Sequence, residues 1–192
     1  RCVASWGGGV YGGTVYNSIL ARNGLGSGIG GGAYNATFYN CLFAYNVANQ
    51  GGGAFGCALY NCTVASNTAA IGGGVRDSSA YNSIVYHNTA STGPDHYGFT
   101  SYYTCTPPGA FLSGSANITN NPAFIDDAGD YHLRTNSPCI DSGTNMAWMT
   151  DARDLDGRAR ILGGRVDMGA YEFIPEPAGT VLCVICMALA KR

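Results

Sequence analysis

Apolar residues in the first half of this chain fall in short runs bracketed by polar turn formers, and no stretch of ten or more residues there carries helical spacing. Short β-strands are the elements such a pattern predicts. The runs read Ser18-Ile19-Leu20, Cys41-Leu42-Phe43, Cys62-Thr63-Val64 and Ser83-Ile84-Val85, rich in β-branched or aromatic residues. Each follows a Tyr-Asn pair, at Tyr16-Asn17, Tyr39-Asn40, Tyr60-Asn61 and Tyr81-Asn82. Each pair in turn follows a glycine triplet, starting at Gly7, Gly30, Gly51 and Gly72. A further Asn closes each unit, at Asn23, Asn46, Asn67 and Asn88, so three marks share the spacings 23, 21 and 21. The two extra residues of the first unit fall in the Gly-rich stretch between Asn23 and Gly30, where a turn tolerates insertion.

A fixed period of this size identifies a solenoid. About 21 residues accommodate three short strands and three turns, with Gly and Asn supplying the positive φ that turns require. Stacked units pair each strand with its equivalents about 4.8 Å above and below, so that like side chains form ladders. The expected fold is all-β, a right-handed parallel β-helix. The Leu-x-x-Leu-x-Leu frame of leucine-rich repeats is absent, and a left-handed hexapeptide helix has units near 18 residues. A fifth, degenerate unit keeps the register at Gly93-Pro94-Asp95 and Tyr102-Tyr103-Thr104, as expected of a terminal repeat. Residues 1–112 are therefore expected as coils, 113–173 as a C-terminal cap over the open end, and 174–192 as a tail.

Composition narrows the function classes. Of 192 residues only 22 are charged, with ten basic against twelve acidic and a net charge of −2, which leaves no field to attract nucleic acid. The chain is 46% hydrophobic, enough to build a core. Eight cysteines exceed what most cytosolic proteins keep and are compatible with export. The chain opens on Arg1 and not Met, with no leader-like start, and reads as a piece or mature form of a longer protein.

The first four coils contain Asp77 alone as carboxylate, whereas a hydrolase on this fold needs a carboxylate pair and a calcium-dependent lyase needs several. No cofactor is implied. Asn17, Asn40, Asn61 and Asn82 predict one amide ladder, and Asn23, Asn46, Asn67 and Asn88 a second. The column Tyr16, Tyr39, Tyr60 and Tyr81 is the candidate sugar-binding strip, since aromatic faces stack on pyranose rings; a structural stack is the competing reading. Asp154, Asp156 and Asp167 are a candidate cation site. With Gly157 at the sixth place of an EF-hand loop the first and twelfth are Ala152 and Gly163, so an Asx-turn network is the better reading. His87, His96 and His132 lack partners at metal spacing, and Cys183 and Cys186 sit in the apolar tail. Cys41 and Cys62 share a ladder position at an expected Cα separation of about 4.8 Å, and are read as unbridged. Cys105 and Cys139 are the disulfide candidate, because a bond there ties the fifth coil to the capping segment.

The later chain carries a resemblance. Asn121-Pro122-Ala123-Phe124, Asp130-Tyr131-His132-Leu133, Ser137-Pro138-Cys139-Ile140-Asp141-Ser142-Gly143, Asp154-Leu155-Asp156-Gly157 and Asp167-Met168-Gly169-Ala170-Tyr171-Glu172 are similar to the C-terminal module of exported bacterial β-helix proteins. These are the choice-of-anchor Q proteins of the pectin-lyase-like superfamily. The resemblance covers 1–173, implies export and surface display, and carries no catalytic residues across. Pro175-Glu176-Pro177, an uncharged stretch Ala178 to Ala190 and Lys191-Arg192 resemble a PEP-CTERM sorting signal, which implies sorting or anchoring machinery as a partner. The function expected is non-catalytic, a surface stalk or adhesin-like protein whose ligand is extracellular polysaccharide or cell-surface glycan. The alternative is the C-terminal part of a polysaccharide lyase or glycoside hydrolase with its catalytic coils upstream.

Overall fold

The computed structural model describes residues 5–24, 26–109 and 112–175. The repeat winds as a parallel β-solenoid of about 21 residues per turn. Its first sheet stacks Val10–Tyr11, Ala33–Tyr34, Ala54–Phe55, Val75–Arg76 and His96–Tyr97. The second stacks Thr14–Tyr16, Thr37–Tyr39, Ala58–Tyr60, Ser79–Tyr81, Phe99–Tyr102 and Leu112–Ser115. Ile19–Ala21, Leu42–Ala44, Thr63–Ala65 and Ile84–Tyr86 form the third. Thr68–Ile71 and Thr89–Thr92 pair as a short fourth. Pairing follows the repeat register, with Tyr39 beside Tyr60 and Tyr60 beside Tyr81.

Glycine and asparagine make the corners. Gly51 takes φ +60° at one, and Asn17, Asn40, Asn61 and Asn82 take φ of 43°, 53°, 49° and 50° at the corner between the second and third sheets. The other two glycines of a triplet are demanded by close approach. A Cβ on Gly52 would lie 2.4 Å from the carbonyl oxygen of Gly73 on the next rung, and one on Gly53 2.6 Å from that of Gly74. Inward-facing Phe38, Phe43, Leu59, Val64, Val75, Val85 and Phe99 fill the coil.

Asn23, Asn46, Asn67 and Asn88 line the inside of another corner as a hydrogen-bonded ladder. The backbone N–H and Nδ2 of Asn46 both donate to Asn67 Oδ1 at 2.9 Å, and those of Asn67 donate to Asn88 Oδ1 at 2.9 and 3.0 Å. Asn67 Nδ2 also reaches the carbonyls of Phe43 and Ala65. Asp95 ends the ladder, because its Oδ1 accepts both Asn88 donors at 2.9 Å, where the next asparagine would stand. The stack runs one partial rung past the expected boundary at 112. Leu112–Ser115 pairs with Phe99–Tyr102, and Ile118 bridges Cys105. His96 turns into the core position of Ala33, Ala54 and Val75, and its Nε2 meets the carbonyl of Pro107 at 2.9 Å, so the Pro107-Pro108-Gly109 segment covers this end.

Residues 119–173 are not a plug over the end, as the sequence led us to expect, but a flank module along the third sheet. They include the hairpin Phe124–Asp126/Asp130–Leu133 and a single 3₁₀ turn at Ala147–Met149. Leu42, Ala44, Ala65, Ile84 and Cys105 pack in one buried cluster with Phe124, Tyr131, Leu133, Cys139, Met168, Ala170 and Tyr171. The cause is that the third sheet is apolar on both faces, and an apolar outer face must be covered.

The buried ladder yields a graded expectation. Asn67→Ala removes the Nδ2 bonds and strips Asn46 of its acceptor, so a loss of roughly 2–4 kcal/mol is expected from denaturant unfolding. Asn23→Ala, on the first rung and only part-buried, costs less, and equal losses at the two positions would refute the ladder's role.

Candidate functional site

The tyrosine column lies on the outer side of the second sheet, extended by Tyr102. Its rings stack on one another with centroids 4.9, 4.8, 5.2 and 5.1 Å apart and planes within 15°. Tyr16 is 59% exposed, and the others are half-buried. Each inner ring has both faces occupied by its neighbours, so the column presents ring edges and hydroxyls. Trp148, from the flank module, meets Tyr39 in a T-shaped contact with ring centroids 4.9 Å apart.

A second planar column, which the sequence reading missed, occupies the first sheet. Tyr11, Tyr34 and Phe55 stack at 5.4 and 5.5 Å, and the Arg76 guanidinium lies between Phe55 and Tyr97, 5.6 and 5.4 Å from their rings. Cation–π contact lets a planar cation replace a ring in such a stack. The signal was present, since all five residues stand four places after the first glycine of their unit, but Arg hid it.

The two asparagine sets divide their work. Asn17 Nδ2 donates to the carbonyls of Arg153 and Asp154, Asn40 Nδ2 to Arg153, Asn61 Nδ2 to Asp167 and Asn82 Nδ2 to Thr144. Within this column the amide contacts are longer, 3.4 Å between Asn40 and Asn17 and between Asn82 and Asn61. This column is thus the hydrogen-bonding seam along which the module lies.

The acidic residues of the module use their oxygens internally. Asp154 Oδ1 accepts the N–H groups of Asp156 and Arg158 at 3.0 and 2.7 Å, and its Oδ2 that of Glu172 at 2.9 Å. Asp167 accepts from Asp141 at 2.7 Å and Phe173 at 2.6 Å. The Asp156 carboxylate is directed instead to His132 and Arg158. The three carboxylates of the candidate cation site are therefore not brought together, and no group of three or more His, Cys, Asp or Glu among the described residues is placed to hold a metal. Arg160, fully buried, donates from Nη2 to Glu172 Oε1 at 3.0 Å and to the carbonyls of Asp167 and Gly169. Burial nevertheless raises the Glu172 carboxyl to about 8, against the opposing pull of Arg160. Burial likewise pushes Asp167 and Asp95 up.

His132 is the one histidine drawn into a charged cluster that its sequence position did not reveal. Nδ1 meets Asp130 Oδ1 at 2.5 Å, Nε2 meets Asp156 Oδ2 at 2.8 Å, and Tyr171 packs on the ring at 4.1 Å. Burial pulls the imidazole down, but bonds to both carboxylates outweigh it and the net direction is up. The same bond lowers Asp130. With both ring nitrogens engaged, neither is free to take a proton from a bound molecule. Beside the cluster lies a cavity of about 730 Å³ lined by Ile125, Leu133, Arg134, Arg158 and Phe173. His87 reaches Asp127 at 3.3 Å, and His96 covers the core end. Cys105 and Cys139 are brought together; Cys183, Cys186 and the sorting-signal residues from Glu176 onward lie outside the described residues.

Comparison with protein-family models, with curated proteins and with solved structures gives no match to this chain.

The pKa directions set a pH dependence. Groups whose folded pKa is raised bind protons more readily when folded, so their stabilisation is full at low pH and is lost as pH rises through the folded value. Glu172, moving from 4.5 to about 8, His132, moving upward from 6.5, and Asp167 and Asp95 all act in this sense. Asp130 acts oppositely, but only within and below the ordinary carboxylate range. The thermal midpoint is expected to fall between about pH 5 and pH 8, with a shallower slope in Glu172→Gln. A midpoint that rises over this range would contradict the assignment.

Proposed function

We propose that this chain is an exported, surface-displayed and non-catalytic β-solenoid of bacterial type, a stalk or adhesin-like protein similar to choice-of-anchor Q proteins. The observation that carries the reading is the use made of the motif residues behind that resemblance. Asp154, Asp167, Gly169 and Glu172 bond backbone groups or Arg160, and Asp154 and Asp167 also receive the amides of the asparagine seam at their carbonyls. Residues engaged in this way fasten the module to its solenoid. A rigid solenoid whose stacked coils carry almost no charge suits a spacer or display element, and the Pro-Glu-Pro tail supports delivery to a sorting pathway.

The tyrosine column is the proposed contact for a polysaccharide or cell-surface glycan. Its ring faces are turned to one another, so recognition would run through hydroxyls and edges repeated at about 5 Å, which favours an extended chain lying along the axis.

A glycan array and an assay for reducing sugars and unsaturated products, both on the full-length protein, test the reading. Binding without product release is expected, weakened about tenfold by Tyr60→Ala, a loss of about 1.4 kcal/mol. Product release would replace the stalk by the C-terminal part of a lyase or hydrolase. Absence of binding would remove the glycan contact and leave the spacer.

A further inference from the structure

Five buried cysteines fall among the described residues, Cys41, Cys57, Cys62, Cys105 and Cys139, and all are unbridged in this structure. Their surroundings divide them into two kinds. Cys41, Cys57 and Cys62 each donate a thiol hydrogen bond to the carbonyl two residues earlier, at 3.2, 3.3 and 3.4 Å. Ser18, Ser78, Ser83 and Thr104 make the same bond with a hydroxyl on other rungs, at 2.7, 2.8, 2.9 and 3.1 Å. These three thiols stand in for hydroxyls in corner ladders.

Cys105 and Cys139 belong to no such ladder. Cys105 sits in register between Ile84 and Ile118 and faces the flank module, its thiol donating to the carbonyl of Asn120 at 3.2 Å. Cys139 comes from the module, held by a bond from its N–H to Ser137 Oγ at 3.1 Å and by Met168 N–H on its carbonyl at 3.0 Å. The two side chains belong to one buried cluster where the module meets the third sheet, and both residues are 0% exposed.

We propose that Cys105 and Cys139 form a disulfide that locks the flank module to the solenoid, while Cys41, Cys57 and Cys62 remain thiols. Cys41 and Cys62 are also neighbours, each directly preceding one of two paired strands. They lie on successive in-register rungs, however, where parallel Cα–Cβ bonds hold the Cβ atoms about 4.8 Å apart, beyond the 3.5–4.5 Å that a disulfide spans. Cys105 and Cys139 approach from separate segments and carry no such constraint. Forming the bond removes two S–H hydrogens as protons and passes two electrons to a small-molecule disulfide such as oxidised glutathione, which leaves as two thiols. Full burial of both sulfurs places this exchange before the module docks. The inference stands independently of the stalk reading, since it concerns how the chain is held together.

The test refolds the full chain in a glutathione redox buffer, then denatures it, alkylates it and digests it with trypsin. Asp77–Arg134 should be joined to Thr135–Arg153 until reductant is added, with Cys41, Cys57 and Cys62 all alkylated in Asn23–Arg76. Reductant should lower the thermal midpoint by about 10 °C, a difference absent in Cys105→Ser and Cys139→Ser. Alkylated Cys105 and Cys139, a Cys41–Cys62 link, or a midpoint indifferent to reductant would each overturn the proposal. Should the serine variants fail to fold, the peptide map and the reductant comparison on the wild-type chain still decide it.

Discussion

A buried amide is tolerable only when each of its polar atoms finds a partner, and the asparagine ladder meets that demand by repetition. Each Asn supplies the acceptor for the rung before it and takes its own acceptor from the rung after it, so no member is satisfied until its neighbours are in place. Register follows from this, because a slip of one residue would leave a column of orphaned amides in the interior. The glycine triplets and the stacked tyrosines repeat at the same period and align without further specification. Asp95 ends the series by accepting the last two donors and offering none onward.

Sheet two alternates, with Phe38, Leu59 and Ala80 inward and tyrosines outward, and its outer side meets solvent. Sheet three does not alternate: Leu42-Phe43-Ala44 and Thr63-Val64-Ala65 are buried throughout. That difference determines where the C-terminal third goes. It lies over the apolar face, anchored at the adjacent corner by the outward asparagines, while the last rung and the Pro107-Pro108-Gly109 segment attend to the end of the stack.

Charge is distributed accordingly. The coils carry almost none, and the module concentrates its carboxylates around Arg160 and His132. A buried ion pair contributes little net stability, but removing one partner leaves an uncompensated charge and is strongly destabilising. Arg160 and Glu172 are such a pair, and the raised proton affinity of Glu172 and His132 makes stability dependent on pH.

Repetition made the solenoid legible in the sequence. A column needs only equal spacing, so the period, the strand positions, the tyrosine stack and both asparagine sets follow from counting residues, and the Arg76 column was readable by the same count. The flank module has no period. Whether it would close the end or cover the side depended on which sheet has two apolar faces, and this becomes visible only when Leu42, Ala65 and Ile84 are placed side by side in space. The meeting of His132 with Asp156 joins residues 24 positions apart in a segment without repeats. Local spacing carries no information about such pairs, because the path of the chain across the third sheet alone brings them together.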